Sequence, residues 1–94
     1  MKFRITPHSG FKASARPADA IDLLWQRLET SRGETSFTKV GAEIRATWGV
    51  DVPASMERDE RDELGRRAVL DIVIGVCEQA PELNSDWFAV SARR

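Results

Sequence analysis

Between Val40 and Val52 the chain alternates without an exception. The even positions Val40, Ala42, Ile44, Ala46, Trp48, Val50 and Val52 are all apolar, while Gly41, Glu43, Arg45, Thr47, Gly49 and Asp51 hold no large apolar side chain. Successive side chains of a strand point to opposite faces, so the pattern predicts one strand with a buried and a solvated side. A second period runs through the same residues. Phe37, Val40, Ile44 and Trp48 form a helical stripe, "AEIRA" is made of helix formers, and Gly49 stands where a glycine ends many helices. The strand is the reading adopted here, with a helix over 37–48 as its alternative. Gly41 fits the strand as a bulge, which also accounts for Phe37 lying out of register.

The flanking elements carry clearer signals. "KFRIT" sets Phe3 and Ile5 against Lys2, Arg4 and Thr6 and ends at Pro7, a short strand with one buried face. Residues 7–16 are rich in Pro, Gly and Ser without a period and predict a loop. Pro17 suits a first helical turn, and Ile21, Leu24, Trp25 and Leu28 recur at helical spacing, predicting a helix over 18–30 stopped by Gly33. A longer helix is expected over 56–80, with Ser55 or Asp59 as its cap and Pro81 as its stop. Its first half interleaves acids with Arg58, Arg61, Arg66 and Arg67, and its second half is apolar. "DWFAVSA" closes the chain as a strand, Trp87 and Ala89 facing one way and Phe88 and Val90 the other.

The order β-α-β-α-β over residues 1–94 predicts a single small α+β domain. It would hold a three-stranded, mainly antiparallel sheet with two helices on one face. With 37–48 helical, two terminal strands would pair beneath three helices instead. Both arrangements leave one sheet face bare, and Trp48, Trp87 or Phe88 is the aromatic expected there. Exposed aromatic patches mark association, so a protein partner or a second copy of the chain, as a homodimer, is the first functional expectation.

Charge supplies the alternative expectation. The formal net charge is only −1, but Met1 to Ala18 holds Lys2, Arg4, Lys12 and Arg16 with no acid, and the chain ends on Arg93 and Arg94. If the terminal strands are neighbours these cations converge, with His8 and Phe11 beside them for stacking. Such a patch would take a nucleic acid or another anionic ligand. Termini and loops are also commonly charged for solubility, so nucleic acid stands second to a protein partner.

Catalytic chemistry finds little to work with. His8 and Cys77 are the sole His and Cys in the chain, and Cys77 lies in an apolar helical stretch where cysteine is usually a small buried hydrophobe. Zinc needs three or four N or S ligands, so neither a metal nor any other cofactor is expected. The acids at 57–63 are interleaved with arginines that compete for them. Neither "GxxxxGK" nor "GxSxG" occurs. A non-enzymatic binding module is the expectation. A lone cysteine, a charged N-terminus without an apolar stretch, and no apolar run of about 20 residues suggest a cytoplasmic chain outside the membrane. Its 11 arginines against 3 lysines suggest a GC-rich bacterial source.

Overall fold

The structure is a computed structural model and describes residues 1–10 and 16–93. Among them are strands β1 (Lys2–Pro7), β2 (Ser31–Arg32), β3 (Thr35–Val40), β4 (Glu43–Trp48) and β5 (Phe88–Ala92). Two helices, α1 (Pro17–Arg27) and α2 (Arg58–Glu78), and a 3-10 turn at Ser85–Trp87 complete the set. The class is α+β, but the sheet has five strands in the order β2-β3-β4-β1-β5, not three. Every neighbouring pair is antiparallel.

The extra strands come from two glycine turns, one inside the alternating run and one before it. Gly41 has φ +60°, and Val40 pairs with Glu43 across the two-residue loop Gly41–Ala42. A positive φ at the first loop position followed by an ordinary residue is the type II′ pattern, whose twist matches that of paired strands. Gly33, with φ +61°, makes the same kind of turn between β2 and β3. The glycine expected as a bulge is therefore a chain reversal, and Gly33 turns a hairpin rather than ending a helix.

The reversal also resets the period. Val40 and Ile44 share parity, yet Val40 is 40% exposed and Ile44 is fully buried, because the loop lies between them. Phe37 pairs with Ala46 and joins the buried set. The helical alternative for 37–48 is thereby excluded. A side chain at φ near +60° costs about 1–2 kcal/mol. Gly41→Val is expected to lower the unfolding free energy by about that much in a denaturant titration.

The apolar strand residues point one way, except Val40 and Ala89. Phe3, Ile5, Phe37, Ile44, Ala46, Trp48, Phe88 and Val90 are buried in one cluster. Ala20, Ile21 and Leu24 of α1 and Val69, Val73, Val76 and Cys77 of α2 close over them. Helix α1 ends at Arg27 with Leu28 as its C-cap, earlier than its periodicity suggested, because Thr30 already accepts a bond from the Phe37 N–H. Helix α2 begins beside Glu57 with no side-chain cap, so neither Ser55 nor Asp59 serves as one. No helix among the described residues is long and apolar enough to cross a membrane.

Candidate functional site: the open face of the sheet

Since both helices cover one face of the sheet, the other is open, as the element order implied. Its character differs from the expectation. Trp48 is 7% and Phe88 4% exposed, both within the core. Trp87 is half-buried in the 3-10 turn, where its carbonyl accepts a bond from the His8 N–H at 2.7 Å. The aromatic interaction face is thus corrected: Trp48 shares parity with Ile44 and Phe88 with Val90, so whatever buries the aliphatics buries the aromatics too.

What the open face carries is polar and basic. Pairing places Thr38, Arg45, Arg4 and Ser91 in one row across β3, β4, β1 and β5. Ser31, Ser36, Thr47 and Lys2 form the next row. Arg93 lies beyond β5 against Lys2, donating its N–H to the Lys2 carbonyl at 2.9 Å. Thr6 and Ala89 pair in a third row, where Glu43 and Val40 also pair. Glu43 is the one acid at these strand positions.

The Arg4–Arg45 pair is electrostatically unfavourable. Met1 and Trp48 exchange backbone bonds, Trp48 N–H to Met1 O at 2.8 Å and the Met1 ammonium to Trp48 O at 3.0 Å. Alternation from there makes Arg4 and Arg45 a non-hydrogen-bonded pair, the kind whose side chains approach most closely. Like charges directly opposite destabilise a sheet. Arg45 is relieved by Glu43, whose carboxylate accepts from its Nε at 3.2 Å. Arg4 has no such relief. Its Nε is buried without a hydrogen-bond partner, as is that of Arg93. Lys2, Arg4 and Arg93 make none of the ion pairs found among the described residues.

The acids lie on the opposite side. Asp19 and Asp22 are on α1, and Asp59, Glu60, Glu63, Asp71 and Glu78 on α2. There Arg66 donates to Glu63 through Nε at 2.9 Å and Nη2 at 2.7 Å. That bond holds the Glu63 carboxyl below its usual range and raises the Arg66 guanidinium. Lys39 reaches Asp22 at 2.9 Å and Arg27 reaches Glu82 at 2.6 Å. A near-neutral chain is therefore polarised, with a basic sheet face and an acidic helix layer in which Asp22 and Glu63 are ion-paired. No protein-family model, curated protein or solved structure matches the chain.

The other expected site residues disperse. His8 is exposed beyond β1, its Nδ1 accepting from the Gly10 N–H at 2.9 Å. Arg16 precedes α1 and belongs to the helix layer. Phe11, Lys12 and Arg94 lie outside the described residues. Cys77 is buried, which pushes its thiol up and disfavours the thiolate. His8 and Cys77 line different hollows on either side of Ile74. No cluster of three or more His, Cys, Asp or Glu among the described residues could hold a metal ion. Arg45 is the member of the face that the sequence reading missed. Its signal is the polar set of the alternating run, which turns toward Arg4 only once β4 and β1 are known to be neighbours.

Proposed function

We propose that this domain binds the phosphate backbone of a nucleic acid across the open face of its sheet, as a binding module rather than an enzyme. The observation that carries the reading is Arg4, held opposite Arg45 with no acid of its own and a buried, unpartnered Nε. Arginine presents a planar fork of donors that matches phosphate oxygens, and an anion between two facing guanidinium groups turns their repulsion into attraction. Lys2 and Arg93 extend the positive strip, and Ser36, Thr38, Thr47 and Ser91 supply neutral donors beside it.

Among the described residues the strands of this face present no aromatic side chain on which bases could stack, so recognition would run through the backbone with little sequence preference. The acidic helix layer repels a polyanion from the far side and so orients it. The case for a protein partner on this face draws on Trp48 and Phe88, which lie in the core instead, and this is why the basic reading stands first.

Binding to a short fluorescent single-stranded oligonucleotide, measured by anisotropy at several salt concentrations, tests this. Contacts from Lys2, Arg4 and Arg93 release counterions, so log K should fall against log salt with a slope of about −2, at ~0.7 per contact. Absence of binding at low salt would end the proposal.

A further inference from the structure

We propose that the domain forms a two-fold dimer by antiparallel pairing of β5 with β5 of a second copy, which makes a continuous ten-stranded sheet. β5 is an edge strand. Arg93 donates to the Lys2 carbonyl and His8 donates to the Trp87 carbonyl, so the odd residues of this stretch bond inward to β1. Alternation then turns the N–H and C=O groups of Val90 and Ala92 outward, together with the Phe88 carbonyl, while the Phe88 N–H is held by the Ser85 carbonyl of the 3-10 turn. Exposed edges are normally blunted by charge, proline, a bulge or extreme shortness. "FAVSA" has no charge and no proline, and it pairs with β1 over its whole length.

Beside this edge runs a shallow hollow of about 370 Å³ lined by Leu70, Ile74 and Phe88 with His8, Ser85 and Asp86. Leu70 and Ile74 are half-buried residues of α2 that pack against the core without being closed into it.

The charges select a second copy as the occupant. Asp86 stands at the start of the edge and Arg93 at its end. The outward groups pair only in registers that match Phe88, Val90 and Ala92 among themselves, and the two-fold register sets Val90 opposite Val90. Phe88 then faces Ala92, and Arg93 of each copy is carried to the Asp86–Trp87 end of the other. Unlike charges meet at both ends, and the arginine can lie against the indole. Paired residues keep to one face, so Leu70 and Ile74 of both copies gather on the helix side. The pairing closes on itself rather than propagating, as a two-fold contact does.

The test uses the full chain without nucleic acid, which separates it from the binding proposal. Sedimentation across a roughly hundredfold concentration range should show a shift from 10.5 kDa toward twice that mass. Over the same range, amide exchange at Val90 and Ala92 should slow. Arg93→Asp and Asp86→Arg should each weaken dimerisation about tenfold or more, and the double exchange D86R/R93D should restore it. A folded chain that stays monomeric with fast exchange at Val90 overturns the proposal. So does a dimer indifferent to both charge reversals, a double exchange that fails to restore it, or an open-ended polymer.

Discussion

Gly65→Val is expected to destabilise the fold by about 3 kcal/mol, the upper part of the usual overpacking range. Gly65 lies in α2 where the helix crosses β1 and β4 most closely. A Cβ there would come within van der Waals overlap of Phe3 Cζ, 2.7 Å from Phe3 Cε2 and 2.9 Å from Trp48 Cε3. Neither ring can withdraw, since Phe3 is fully buried and Trp48 is 7% exposed. Glycine inside a helix costs about 1 kcal/mol relative to alanine, so an exposed Gly65 would gain from substitution. Here the close approach of helix to sheet reverses that sign. Against a total of roughly 5–10 kcal/mol, the loss should bring the midpoint of urea unfolding down sharply. Phe3→Leu, which empties part of the space above Gly65, should recover some of it in a double-mutant cycle. A Gly65→Val protein as stable as the parent would mean that α2 does not lie this close to β1.

The second large effect is on binding. Each charge-assisted contact is worth about 1.5–3 kcal/mol, so Arg4→Gln should weaken affinity for the oligonucleotide roughly 10- to 100-fold. It should also lower the magnitude of the salt slope by about 0.7. Arg45→Gln should act in the same direction but less, because Arg45 already shares its charge with Glu43. Reading the two with Lys39→Gln separates a positioned site from general attraction, since Lys39 is on the helix side, 2.9 Å from Asp22, and should leave binding unchanged.

Element types were largely legible in the sequence, because side-chain period reports them directly. Phe3 and Ile5 announce β1, and Ile21 and Leu24 place α1 within a few residues. Hairpin turns were not legible, because a glycine at φ near +60° and a glycine at a bulge leave the same trace in one dimension. Gly41 hid the boundary between β3 and β4, and Val40 on the far side of it kept the parity of Ile44 by coincidence. The bare sheet face was foreseen, but not its chemistry. Parity alone puts Trp48 under the helices with Ile44. The Arg4–Arg45 contact needed strand order, which depends on contacts distant along the chain. Convergence of the basic termini was partly visible: Lys2, Arg4 and Arg93 do meet, while Arg16 is carried off by α1.

The central claim is that Arg4 is placed for a ligand at some cost to the fold, and one variant measured two ways examines it. Arg4→Gln removes a like charge directly opposite Arg45, an arrangement worth about 0.2–1 kcal/mol. The account therefore predicts a protein slightly more stable in urea and markedly weaker in oligonucleotide binding. A variant that loses stability and keeps its affinity would contradict it, for Arg4 would then serve the fold rather than a ligand.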